Sequence, residues 1–104
     1  MIIVTSGQVV DKKIIRTIGL VKGSTIRAKN LGRDIMASLR GLVGGEIGEY
    51  TKMMAEAREE ALRRMIADAE EKGASAVIDM RLGTSMVMQN AAEVVAYGTG
   101  VVLE

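Results

Sequence analysis

The chain has 104 residues, enough for one domain with one core, and its 14 basic and 13 acidic residues leave a net charge of only +1. This balance and the presence of just two aromatic residues argue against nucleic-acid binding, which depends on a basic surface and on stacking rings. Cys and His are both missing, which excludes disulfides, thiolate nucleophiles, Ser-His-Asp catalysis and the usual zinc ligands. We therefore expect a protein that is not an enzyme and that carries no cofactor.

Hydrophobic residues make up 48% of the chain, and they include eight Met but no Phe or Trp. The core must then be built from Ala, Val, Ile and Met, with Met filling irregular gaps. No apolar run is long enough to span a membrane, and residues 1–6 do not resemble a signal peptide, so we expect a cytoplasmic protein. A chain this short and this apolar is also expected to cover some of its surface with copies of itself.

The first part of the chain predicts β-structure. Residues 2–5 are β-branched and read as a short strand. Residues 12–29 alternate loosely between apolar and polar, and the sequence Lys22-Gly23-Ser24 predicts a break there, giving a hairpin or a bent pair of strands.

Two helices are predicted next. Residues 33–43 carry apolar side chains at helical spacing, with Asp34 in the first turn, and Gly44 and Gly45 would end this short helix. A second pattern runs from about residue 46 to residue 72 and ends at Gly73 in a left-handed conformation. At about 1.5 Å per residue this helix extends roughly 40 Å, which exceeds a compact domain whose radius of gyration is about 13 Å. The excess favours an oligomer.

Three further strands are predicted at residues 74–82, 85–89 and 92–103, and Gly98 and Gly100 in the last one suggest bulges. Strands and helices are segregated along the chain, which is typical of an α+β fold with a largely antiparallel sheet. We predict one α+β domain over residues 1–104.

Glycines and arginines provide the candidate binding residues. The sequence "GLVGGEIG" at 41–48 lacks the Lys-Ser/Thr ending of a phosphate loop and is predicted to turn the chain between helices, although Gly44 and Gly45 could expose amides to an anion. Arg33 and Arg40 are seven residues apart and share a helix face. That face is either solvated or, in a symmetric ring, a concentration of positive charge that attracts anions.

Arg58 falls inside the apolar stripe of the second helix, between Met54 and Leu62. A buried arginine needs an acceptor, for which Asp34, Asp79 or a neighbouring subunit are candidates. The residue is then either half of a structural ion pair or a contact for a ligand.

Two other functions remain open from the residues alone. Met86 and Met88 would share a strand face and offer thioethers to a soft metal such as Cu(I), with carboxylates as further ligands. A small enzyme could instead use Asp34 together with arginine and Tyr50. Without Cys or His, both alternatives are weaker than a binding or scaffold protein, and we assign no catalytic or metal residues.

Three fragments resemble the YbjQ-like family of small bacterial and archaeal proteins, which are sometimes labelled "heavy-metal-binding". They are "GRDI.AS.R..VGG..G.Y" at 32–50, "AEAREEAL..M...A...GA.AVI" at 55–78 and "GTG.V" at 98–102, so the resemblance spans nearly the whole chain. It implies a β-α-β-β core and a ring-shaped homopentamer. The matching polar and glycine positions are Arg33, Asp34, Arg40, Gly44, Gly45, Tyr50 and Arg58. The resemblance carries no substrate, because the family has no established activity.

Overall fold

The computed structural model describes residues 1–28, 44–88 and 91–104, which form four strands and one helix. In chain order these are β1 (Ile2–Ile3), β2 (Ile14–Ala28), α1 (Gly44–Glu71), β3 (Ala76–Met88) and β4 (Ala91–Leu103). The sheet has the order β1-β3-β4-β2, with β1 parallel to β3 and the other two pairings antiparallel. The predicted α+β class, the largely antiparallel sheet and the β-α-β-β core are therefore confirmed. The short helix predicted at 33–43 lies outside the described residues.

The predicted break at Lys22-Gly23-Ser24 is wrong, because β2 continues through it as one strand of 15 residues. Gly23 instead provides the space that helix α1 needs to approach the strand. A Cβ placed there would collide with the backbone nitrogen of Met65 and would lie 2.5 Å from the carbonyl oxygen of Ala61. The glycine thus lets α1 rest directly on the strand, a requirement that local turn signals cannot reveal.

The face of α1 that meets the sheet is built from three alanines and one methionine four positions apart, a spacing that places them in one row along a helix. Its fully buried members are Ala57, Ala61, Met65 and Ala69. The helix ends at Glu71, and Gly73 terminates it as predicted, with a left-handed φ of 86°. Its N–H donates to Glu70 O (3.1 Å) and the next N–H, from Ala74, donates to Ala69 O (2.9 Å), the paired bonds of a Schellman cap. No described helix has both the length and the hydrophobicity that a membrane crossing requires.

The strands predicted at 74–82 and 85–89 are one continuous strand, β3. Its pairing with β4 shifts by one residue between Ile78 and Arg81, where Asp79 has a left-handed φ of 53°. Gly98 of β4 lies against this bulge, since a Cβ there would come within 2.9 Å of Ile78 O. The glycine does mark a bulge, but the extra residue belongs to the neighbouring strand.

Consecutive residues of a strand face opposite sides of a sheet, and this sheet buries residues on both sides. Val21, Val77, Val94 and Ala96 pack with the alanine row of α1 in the main core. On the other face, Ala76, Ile78 and Val101 form a smaller cluster that the N-terminal segment covers through Val4 and Val9. That cover extends over one end of the sheet only, and Ile26, Leu82 and Met86 are among the apolar side chains that remain exposed toward the other end.

Candidate functional site

Three charged side chains of α1 bond the backbone of β2 along the outer edge of the sheet. Arg64 Nη1 donates to Ser24 O (2.7 Å), Lys22 N–H donates to Asp68 Oδ2 (3.0 Å), and Lys72 Nζ donates to Leu20 O (3.1 Å). Arg64, Asp68 and Lys72 are four residues apart and therefore share one helix face. We call these three residues the charged row.

Ionic contacts hold the charged row in position. Glu60 accepts hydrogen bonds from Arg63 (2.6 Å) and from Arg64 (2.9 Å), and Lys72 reaches Asp68 at 3.1 Å. The two arginine hydrogen bonds lower the pKa of the Glu60 carboxyl. The pKa of Asp68 is lowered first by the Lys22 N–H and then by Lys72. Glu60 thus pairs with arginines three and four residues further along the helix, the spacing at which side chains of one helix face meet.

A cleft of about 370 Å³ opens between the far end of β2 and α1. It is lined by Arg27, Ala55, Glu56, Glu59 and Arg63. Arg27 Nε is buried and has no hydrogen-bond partner among the described residues. A buried guanidinium N–H without an acceptor is costly, which makes Arg27 the described group most in need of one.

Arg27 was not among the residues that sequence reasoning selected. Its signal is the alternation of β2, in which Val21, Gly23 and Thr25 are buried against α1 and Arg27 is the next residue on that face. An arginine that alternates with buried residues along a strand is expected to be partly buried itself, which is unusual for a charged side chain.

The described structure includes only some of the predicted site residues. Arg33, Asp34 and Arg40 lie outside it. Gly44, Gly45 and Tyr50 belong to the first turns of α1, so the two glycines open the helix that they were expected to precede.

Arg58 is not buried within the chain: its side chain is exposed, whereas Met54 and Leu62 on either side of it are half-buried. The reason is that the alanine row, one position away on the helix, occupies the contact with the sheet, and the row through Met54, Arg58 and Leu62 flanks it. Asp79 is not an acceptor for Arg58 within the chain, since it lies beside Gly7 of the N-terminal segment. The contact of Arg58 with a neighbouring subunit stays a prediction.

The thioether pair proposed for a soft metal is also separated. The pairing of β3 with β4 shifts between Met86 and Met88, so that Met86 lies opposite Ala92 and Met88 opposite Ala91. Successive residues of β4 face opposite sides, and the two methionines therefore do so as well. Among the described residues no group of three or more Asp or Glu side chains is placed to hold a metal ion.

Comparison with known proteins gives one consistent result. A family model described as "Putative heavy-metal-binding" matches residues 1–104. A UPF0145 protein of Dehalococcoides mccartyi (strain BAV1) is 64% identical over 104 residues, covering all of both chains. A UPF0145 protein of Methanosarcina acetivorans is 56% identical over 101 residues, covering 97% of this chain and 95% of its own.

A solved structure shares the fold. It is the crystal structure of a protein of unknown function from Pediococcus pentosaceus, with a TM-score of 0.68 and 19% identity, and the match covers 100% of this chain and 98% of that one. At this identity the likeness concerns the fold alone, and it supports the helix and four-stranded sheet described above.

Proposed function

Because the chain belongs to the YbjQ-like family, also called UPF0145, we propose that it acts as a homopentameric ring that binds a small anion or anionic metabolite at its subunit boundaries and catalyses no reaction. The number five comes from the family resemblance. The observation that supports an assembly is the uncovered sheet face, by which we mean Leu20, Ile26 and Tyr97 on the side of the sheet away from α1.

Three apolar side chains of the uncovered face are open to solvent in the single chain, and polar residues lie beside them, with Lys22 opposite Tyr97 and Glu93 opposite Ile26. Leu20 is 59% exposed, Ile26 61% and Tyr97 41%. The N-terminal segment covers the other end of the same face but does not reach these side chains. Exposed apolar side chains that are grouped on one face and bordered by polar residues mark a candidate binding surface.

The exposed area of the chain supports the same conclusion. One chain exposes 6597 Å², whereas a folded monomer of its 11.1 kDa exposes about 5,700 Å². The difference of roughly 900 Å² is comparable with the area of about 800 Å² that each partner buries in an ordinary stable interface. The radius of gyration of 17.3 Å is likewise larger than the approximately 13 Å of a compact domain of this length.

The cleft beside Arg27 supports the binding part of the proposal. Arg27 Nε offers an N–H that has no acceptor in the part of the chain that the structure describes, and an anionic group would supply one. Glu56 and Glu59 line the same cleft, so a ligand that also carries a hydrogen-bond donor suits it better than a bare anion. In the assembled ring, we expect Arg33, Arg40 and Arg58 to add positive charge near this boundary, with Asp34, Tyr50 and the Gly44-Gly45 amides as neighbouring contacts.

The heavy-metal label of the family is not adopted for this chain. Soft and borderline metals prefer thiolate and imidazole ligands, and the sequence contains neither Cys nor His. The remaining candidate pair, Met86 and Met88, is divided between the two faces of the sheet. The donor set therefore does not fit such an ion.

Native mass spectrometry of the purified protein tests the assembly. We expect a species with five times the 11.1 kDa of one chain at micromolar concentration. A single chain as the main species would contradict the proposed assembly. An assembly with another number of subunits would contradict the number five.

Calorimetric titration with inorganic phosphate and with L-aspartate tests the ligand. We expect L-aspartate, which combines carboxylates with an ammonium group, to bind more tightly than phosphate, and Arg27→Gln to weaken binding at least tenfold. Arg16→Gln is the matched control, because Arg16 is an exposed arginine at the opposite end of the same strand. Equal binding by the two variants, or no binding of either probe at millimolar concentration, would contradict a site at Arg27.

A further inference from the structure

The two edges of the sheet differ in how their backbone groups are satisfied. On the β2 side, the charged row of α1 bonds one outward-facing backbone group of each of Leu20, Lys22 and Ser24. A neighbouring strand cannot pair with this stretch while those bonds are in place. Covering an edge with a helix and with charged side chains is a known way to prevent unwanted strand pairing.

The β3 side is covered over only part of its length. The N-terminal segment runs beside β3, with Val4 N–H donating to Val77 O (2.9 Å) and Met80 N–H donating to Val4 O (3.1 Å). The last contact of this segment is the bond from Arg81 Nη1 to Thr5 O (3.0 Å). From Arg81 to Met88, the outer side of β3 has no strand partner among the described residues. We call this stretch the β3 edge.

The β3 edge is eight residues long, or about 27 Å at 3.4 Å per residue. It carries four exposed apolar side chains, Leu82, Met86, Val87 and Met88. Arg81 is its single charged residue. A long apolar edge without lysine or proline is a template for another strand.

We propose that the β3 edge receives a strand from the next copy of this chain, so that the sheet continues from one subunit into the next. The inference rests on the proposed assembly and specifies its contact. A second copy is the partner for two reasons. The exposed area of the chain exceeds that of a typical monomer by about the area that one partner buries in a stable interface. An identical chain is also always present in solution, and pairing with it covers an edge that would otherwise aggregate.

The geometry also restricts which strand is added. Pairing of one β3 edge with another is isologous and gives a two-fold dimer, whereas a ring needs two different surfaces in contact. In a ring of five, the incoming strand is therefore not β3. The capped stretch Leu20–Ser24 of β2 is excluded as well, because α1 covers it and bonds three of its outward groups.

The test introduces charge at the edge without touching the core. Thr84 and Met86 are exposed positions of the β3 edge, and the double variant Thr84→Lys/Met86→Lys places two lysines there. We expect its mass in native mass spectrometry to fall from that of the assembly to the 11.1 kDa of one chain, with an unchanged circular dichroism spectrum. The control is Val10→Lys, an apolar residue that is 82% exposed in the N-terminal segment, and it should assemble normally.

The outcomes separate this inference from the proposed function. An assembled wild type together with an assembled double variant would overturn the role of the β3 edge and leave the ring standing. A wild type that is a single chain would overturn both.

Hydrogen exchange on the wild type gives an answer even if the double variant does not fold. Alternate amides of an edge strand point away from its only neighbour and exchange quickly, whereas a strand paired on both sides protects all of them. We expect every amide from Arg81 to Met88 to exchange slowly in the assembled protein. Fast exchange of about half of these amides in the assembly would refute the inference.

Discussion

Gly23 is the point at which the backbones of α1 and β2 come closest, and it allows no side chain. In the variant Gly23→Ala, the methyl group would lie 2.5 Å from Ala61 O and overlap the Met65 nitrogen, both of them backbone atoms that cannot move aside independently. We expect a loss of about 1–3 kcal/mol in the free energy of unfolding, the usual cost of overpacking a core. Urea unfolding followed by circular dichroism at a fixed protein concentration measures it.

Gly83→Ala is the matched control, since it also adds a methyl group within the sheet. The nearest atom there is Val95 Cγ1 at 3.3 Å, the tip of a side chain that can shift. Similar losses in the two variants would contradict the close contact of α1 as the reason for glycine at position 23.

At the scale of single residues, sequence reasoning found the glycine but misread its purpose. Lys22, Gly23 and Ser24 look like a turn because each is common in turns. In the structure α1 uses all three, bonding the Lys22 N–H and the Ser24 carbonyl and lying on Gly23. Their conformation is decided by a helix 40 residues further along the chain, which a local pattern cannot include.

At the scale of elements, the charged row links the helix to the sheet edge and makes their contact dependent on pH. The folded-state pKa of Asp68 is lowered by the Lys22 N–H and by Lys72, so its carboxylate stabilises the fold above its unfolded pKa of about 4. This contribution is lost as pH falls through the lower, folded pKa.

Asp68→Asn should therefore be less stable than the wild type by about 1 kcal/mol near pH 7, the typical size of a partly solvated charged hydrogen bond. The difference in the free energy of unfolding between wild type and variant should narrow steadily toward about pH 3, because the wild type loses its carboxylate charge while the variant has none to lose. Urea midpoints across this range provide the measurement. Glu70→Gln, an exposed carboxylate on the same helix, serves as the control, and a gap that is constant with pH would contradict the assignment.

The elements themselves were predictable where the signal is local and less so where it depends on pairing. The end of α1 at Gly73 follows from glycine chemistry alone, and the alanine row follows from helical spacing. The union of two predicted strands into β3 was missed because Gly83, at the predicted break, is locally a turn signal, whereas in the structure Gly83 and Thr84 pair regularly with β4. The shift before Met88 separates it from Met86, which no spacing rule could have shown.

The residues of the candidate site were likewise predictable only in part. Arg58 lies in a row with two half-buried apolar residues, and helical spacing alone could not tell that this row flanks the contact with the sheet. Arg27 was detectable in principle from the phase of β2, but a single strand does not reveal which of its faces a helix will cover. The deciding information is tertiary in both cases.

At the scale of the whole molecule, the proposed ring makes stability depend on protein concentration. Folding is linked to assembly when subunits bury surface against one another, and mass action then favours the folded state at higher concentration. For five chains that unfold together, a tenfold rise in concentration adds about 1.1 kcal/mol per chain, which corresponds to a shift of roughly 5 °C in Tm for a chain of this size. A hundredfold rise in protein concentration should thus raise the Tm of the wild type by roughly 10 °C. The Tm of the double lysine variant of the β3 edge should show almost no shift. A wild-type Tm that stays constant over this range would mean that the 6597 Å² exposed by one chain remains exposed in solution.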